Sequence, residues 1–113
     1  MHIYLFIVFL LLLIYYLWNQ SNEIKMYYFY KPDCKYCKEM TEDWNHVEKK
    51  LCGSGILYKK FDITDPRFKK IKYNFNVKTV PHIVKINKNG TRNIFDGKRK
   101  CDDIISWVYE NYD

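Results

Sequence analysis

Residues 26–37 read MYYFYKPDCKYC, and this stretch decides the fold. Met26–Tyr30 is a short continuous run of β-favouring residues, the pattern of a strand buried on both faces. Lys31-Pro32-Asp33 breaks the run. Beyond it Cys37, Met40, Trp44, Val47 and Leu51 recur at steps of three and four, which predicts one helix with a single apolar stripe. Asp33 is the expected N-cap. Lys49 and Lys50 fall in the last turn, where cations suit the helix dipole, and Gly53 stops the helix. Cys34 and Cys37 therefore sit at the junction of a strand and a helix.

Outward from there, Ile56–Phe61 reads as a second strand. Asp65-Pro66 opens a short helix with proline at its first position, and Phe68 and Ile71 face inward. Ile83, Val84 and Ile86 mark a third strand. Asn89-Gly90 is a hairpin signal, and Arg92–Phe95 returns as a fourth strand. Residues 101–112 close with a helix whose inward face is Ile104, Ile105, Val108 and Tyr112. The order is βαβ, α, ββα. A βαβ unit requires parallel strands and a right-handed crossover, and the hairpin adds antiparallel ones. The expected fold is α/β, a four-stranded mixed sheet with helices on both faces.

The chain has 113 residues, enough for one domain at roughly 100–200 residues each. The hydrophobic fraction of 48% excludes wholesale disorder. Four cysteines are too few for a disulfide-scaffold miniprotein. The formal charge of +6 invites a nucleic-acid reading. The lysines are spread through the chain, often beside Asp or Glu, and form no basic helix, so no nucleic-acid partner is expected.

The first 20 residues carry no Lys, Arg, Asp or Glu, and residues 3–18 are apolar or aromatic throughout. This segment reads as a single-pass membrane anchor with Tyr15, Tyr16 and Trp18 at the interface. A cleaved signal peptide ranks second, because no basic flank precedes the run and no small-x-small site follows it. A buried core helix ranks third. The domain plan is an anchor at 1–20, a polar linker at 21–25 and a globular domain at 26–113. Lysines after the anchor favour a cytoplasmic domain by the positive-inside rule. Asn19-Gln20-Ser21 and Asn89-Gly90-Thr91 are glycosylation acceptor patterns that matter only in a lumen.

Cys34-Lys35-Tyr36-Cys37 carries the chemistry. Two thiols with two residues between them can close a small disulfide ring. The first lies among unpaired N–H groups at the positive end of the helix dipole, which favours the nucleophilic thiolate. Cys37 lies one turn in, on the apolar stripe. Cys34 would attack a substrate disulfide and Cys37 would resolve the mixed disulfide. Lys35 and Lys38 should lower the Cys34 pKa, and Asp33 should oppose them. The remaining candidate ligands, Cys52, Cys101, His46 and His82, form no second close pair, so no metal is expected. Thr79-Val80-Pro81 opens the third strand. Pro81 is either a strand-initiating proline or a cis-proline whose preceding backbone edge faces Cys34 and pairs with an extended substrate.

These segments resemble the thioredoxin-fold family over residues 26–112. FYKPDCKYC is similar to the FYAPWCGHC segment of protein disulfide isomerases. NVKTVPHIVKINKNG resembles the family's cis-proline strand and hairpin, and FDGKRKCDDIISWV the start of its last helix. The resemblance implies a thiol–disulfide oxidoreductase with Cys34 as nucleophile, Cys37 as resolving thiol and Pro81 as cis-proline. It needs no cofactor beyond a redox-active Cys34–Cys37 disulfide. Its implied partners are protein thiols and disulfides, and a redox protein or glutathione. Its implied location is the endoplasmic reticulum or another endomembrane, or a virion membrane if the source is viral.

Three departures stand out. Asp33 replaces the usual Trp, and Lys35-Tyr36 replaces Gly-His or Gly-Pro. Tyr28 stands where the family often buries an acidic residue that assists proton transfer. Tyr36 and Thr79-Val80-Pro81 also resemble glutaredoxins, so a glutathione-dependent reductase is the second reading. A redox-inactive binding module is the third. Cys52 and Cys101 are expected at opposite poles and unpaired, with Cys101 a small buried hydrophobe or an auxiliary thiol.

Overall fold

The computed structural model describes residues 2–20 and 23–110, without the side chains of 18–20. Its elements run α1 (His2–Gln20), β1 (Lys25–Tyr30), α2 (Lys35–Glu39), α3 (Thr41–Leu51) and β2 (Leu57–Asp62). A 3-10 turn (Pro66–Phe68), α4 (Lys69–Asn74), β3 (His82–Ile86), β4 (Arg92–Ile94) and α5 (Cys101–Tyr109) follow.

The strand order is β2-β1-β3-β4. β1 pairs parallel to β2 and antiparallel to β3, and β4 pairs antiparallel to β3. The mixed four-stranded sheet expected from the βαβ and hairpin signals is therefore present, with β1 inside it. Alternate β1 side chains serve two cores. Met26 and Tyr28 pack with Met40, Trp44, Val47, Leu51, Ile104 and Val108 beneath α3 and α5. Phe29 packs on the other face with Phe61, Val77 and Val84, flanked by Phe68 and Ile71. Burying both faces of β1 is what the unbroken MYYFY run encodes.

All five stripe residues from Cys37 to Leu51 are buried, but the helix that carries them is broken. α2 ends at Met40, whose φ of −92° and ψ of 2° leave the helical region, and α3 restarts at Thr41. The Thr41 hydroxyl donates to the Cys37 carbonyl at 3.0 Å, bridging the break. Gly53, at φ 79°, ends α3 as expected. The hairpin also forms as expected, with Gly90 at φ 89° and Asn87 N–H on the Thr91 carbonyl at 2.8 Å.

Several boundaries differ from expectation. Lys25 belongs to β1 rather than to a linker, and residues 21 and 22 lie outside the described residues. β2 starts at Leu57, one residue late, because the Ile56 N–H donates to the Ser54 hydroxyl at 3.2 Å rather than to the strand ladder. α5 stops at Tyr109, and Tyr112 lies outside the described residues.

Residues 3–18 fall within α1, as a helix was expected there. Ile3 to Leu17 are exposed along its whole length. Among the described residues, however, no helix is long and apolar enough to cross a membrane. The apolar part from Ile3 to Leu17 spans only about 23 Å, short of a hydrocarbon core of about 30 Å.

Candidate functional site

The turn at residues 31–34 closes with the Cys34 N–H on the Lys31 carbonyl at 3.2 Å. The chain enters α2 immediately afterwards, so the N-cap is Cys34 and not Asp33. Its sulfur accepts the Cys37 backbone N–H at 3.2 Å. A capping sulfur is a better acceptor as thiolate, so the cap and the reactive form of Cys34 favour each other.

Pro81 follows a cis Val80–Pro81 bond. The Val80 carbonyl faces the site, and the Cys34 thiol points to it at 3.9 Å. Val80 is half-buried and its side chain packs on the second core, while Thr79 is exposed. Asp33, Lys35 and Tyr36 are exposed around the site. Cys34 is partly exposed and Cys37 buried, and both are free thiols.

Burial pushes the Cys34 pKa up, but hydrogen bonds from the Cys37 thiol and from the backbone of Cys37 and Tyr36, together with the Arg99 charge, pull it below the ordinary thiol value. Arg99 is the cation identified here; Lys35 and Lys38 are not among the groups responsible, contrary to expectation. Both are exposed to solvent, whereas Arg99 lies over the Tyr36 ring at 5.6 Å. Arg99 was missed because it lies 65 positions beyond Cys34 in the chain. The only local signal was its place in the KRK run before the last helix.

Asp43 was missed too. Its carboxylate accepts the Cys101 backbone N–H at 3.0 Å, capping α5 from the neighbouring helix. The adjoining loop carries Arg99, so this bond holds the loop near Cys34. Together Tyr36, Met40, Asp43, Arg99 and Lys100 line a groove of about 330 Å³ between α2, the start of α3 and the loop before α5.

Cys37 has the opposite electrostatics. Burial raises its pKa, and the Cys34 sulfur adds to this through a hydrogen bond and its charge; backbone contact with Lys31 and a hydrogen bond with Tyr28 act the other way. The two thiols thus have split acidities, the nucleophile low and its neighbour high. Cys101 is buried at the start of α5, and burial raises its pKa. Cys52 is exposed at the end of α3. Among the described residues, no group of three or more His, Cys, Asp or Glu side chains is placed to hold a metal.

Residues 17–110 match the thioredoxin family. The chain belongs to that family. Among curated relatives, human protein disulfide-isomerase TMX3 is 33% identical over 93 residues, covering 80% of this chain and 20% of the relative. The protein disulfide-isomerase A6 homolog of Drosophila melanogaster is 29% identical over 97 residues, covering 81% of this chain and 22% of the relative. The chain therefore spans about a fifth of the length of these relatives. Among solved structures, the first thioredoxin domain of mouse protein disulfide-isomerase A4 superposes with a TM-score of 0.67 at 25% identity, covering 80% of this chain and 64% of that one. This thioredoxin domain is homologous to domains of protein disulfide-isomerases.

Proposed function

We propose that the chain is a thiol–disulfide oxidoreductase acting on protein disulfides. The observation that carries this reading is the Cys34 sulfur at the cap of α2, held by the Cys37 N–H and facing the Val80 carbonyl beside cis Pro81. The Cys34 thiolate attacks one sulfur of a substrate disulfide, and the other leaves as a thiolate. Cys37 then loses its proton and attacks the Cys34 sulfur. The Cys34–Cys37 disulfide forms and the reduced substrate departs. Run backward, the same steps place a disulfide in a substrate. Val80 offers its backbone edge to the substrate chain, and Pro81 presents that edge beside Cys34. Tyr36 and Arg99 border the groove through which the substrate approaches.

The Cys34–Cys37 disulfide is the only redox group this cycle requires. A partner dithiol protein or glutathione would reset it. The exposed apolar side chains of α1, from Ile3 to Leu17, support membrane attachment, with local thinning of the bilayer making up for a span of about 23 Å. An anchor at 1–20 followed by the redox domain, held at an endomembrane, is the arrangement we infer. Flotation of the full chain with phospholipid vesicles tests this part, and a chain that stays at the bottom of the gradient refutes it.

The chemistry is tested by insulin reduction with dithiothreitol as the reductant. The full chain should accelerate precipitation of the insulin B chain, and Cys34→Ser should abolish the acceleration. No acceleration by the unsubstituted chain, or equal acceleration by Cys34→Ser, would contradict the proposal.

A further inference from the structure

Cys37 must shed a proton before it can resolve a mixed disulfide, yet it is buried. Behind it lies a cavity of about 110 Å³, lined by Cys37, Tyr28, Trp44, Thr41 and Lys60 among others. That is room for water. None of the residues lining the cavity is a carboxylate. The titratable groups around Cys37 are Tyr28 and Tyr30 on β1, Lys31 in the turn, Cys34 and Lys38 at α2, and Lys60 on β2.

Tyr28 is 4% exposed and its ring lies 4.6 Å from that of Trp44. Its position is fixed further by pairing with Ile83 in the sheet. Its side chain lines the same cavity as that of Cys37, and interaction between the two raises the phenol pKa and lowers that of the thiol. Burial, reinforced by the charges of Cys37 and Cys34, raises the phenol pKa far above its ordinary value. A phenol that stays protonated can donate to the sulfur but cannot take its proton.

We propose that Tyr28 is a positioning residue for the resolving step: its hydroxyl donates a hydrogen bond to the Cys37 thiolate, and the Cys37 proton leaves to water in the adjoining cavity. The balance is simple. The Cys37 thiol gives its proton to water, and the resulting thiolate attacks the Cys34 sulfur. The Cys34–Cys37 bond forms, the bond from Cys34 to the substrate sulfur breaks, and the substrate leaves as a thiolate that water reprotonates. Electrons pass from the dithiol to the substrate disulfide. The hydroxyl stabilises the attacking anion, and the walls keep Cys37 aimed at Cys34. This inference rests on the oxidoreductase reading.

The test uses an aromatic disulfide, 5,5′-dithiobis(2-nitrobenzoate), on the full chain carrying Cys52→Ser and Cys101→Ser. Attack by Cys34 releases one coloured thiolate, and resolution by Cys37 releases the second. Stopped-flow absorbance separates the two phases. Tyr28→Phe should leave the first phase unchanged. It should slow the second about tenfold and move its pH midpoint up by about one unit. 3-Fluorotyrosine placed at position 28 keeps the shape and donates more strongly, so it should move that midpoint down. An unchanged second phase in both variants would overturn the proposal, as would equal slowing of both phases. Absence of a second phase in the parent chain would overturn the oxidoreductase reading itself, and with it this one.

Discussion

Replacing Lys85 by methionine removes a cation from inside the fold while keeping its aliphatic stem. Lys85 is only 3% exposed. It rises from β3 to the C-terminal end of α5, where its ammonium donates to the carbonyls of Trp107 at 3.2 Å, Val108 at 3.5 Å and Glu110 at 2.6 Å. They lie at the negative end of the helix dipole, and among the described residues only the Trp107 carbonyl of the three is seen to accept a backbone N–H as well, that of Glu110 at 3.2 Å. A hydrogen bond to a charged group is worth about 1.5–3 kcal/mol, but burying the ammonium takes back much of the gain from three. A net loss of about 2 kcal/mol is expected. At about 4–8 °C per kcal/mol for a domain of this size, Tm should fall by about 8–16 °C.

The assay is thermal unfolding of the full chain followed by near-ultraviolet circular dichroism. Burial lowers the Lys85 pKa, with partial compensation from Glu110. The folded state therefore holds fewer protons than the unfolded one between the lowered value and about 10.4. Stability from Lys85 rises with pH through that window, so the gap between wild type and Lys85→Met should widen toward alkaline pH. Cys34 alkylation at neutral pH should not change, because the clamp is at the far end of α5. A drop in Tm under about 3 °C, or a gap that closes with rising pH, would refute the reasoning.

Other expectations concern the site and the core. Arg99→Gln should raise the Cys34 pKa, read from the pH midpoint of iodoacetamide alkylation. The rise should be about half a unit, because an exposed charge contributes well under about 1 kcal/mol. Among the described residues no hydrogen-bond partner reaches the buried His82 Nε2, and burial lowers its pKa. Stability should therefore be complete above about pH 6.5 and fall as pH drops toward the lowered value; His82→Phe should flatten that slope in urea titrations. Ile104→Val, at a fully buried site, should cost about 1 kcal/mol by the same titration. The matching Ile94→Val on exposed β4 should cost nothing measurable.

Most of the fold was legible because two periodicities are clean in this chain. The MYYFY run and the three-and-four stripe from Cys37 to Leu51 leave little choice of topology. The break at Met40 was not legible, since the same stripe fits a continuous helix and only the backbone angles at Met40 reveal the interruption. The cap was misassigned for a related reason. Asp is a better generic cap than Cys, but the turn after Pro32 uses Asp33 and leaves the helix to start one residue later. Of the site, the CxxC pair and Val80-Pro81 could be named from local sequence. Arg99 and Asp43 could not, because their roles arise from the packing of α5 on α3, and nothing local ties a residue at position 99 to one at 34.

The central claim is that Cys34 and Cys37 form one redox couple. Its most direct test is a titration of the full chain in glutathione buffers, with thiol alkylation mapped by mass. The account predicts a single two-electron transition in which Cys34 and Cys37 lose alkylation together and are joined to each other. A midpoint near about −270 mV would mark a thioredoxin-like reductant, and one near about −180 mV or above an isomerase or oxidant. No Cys34–Cys37 disulfide at any poise would contradict the account.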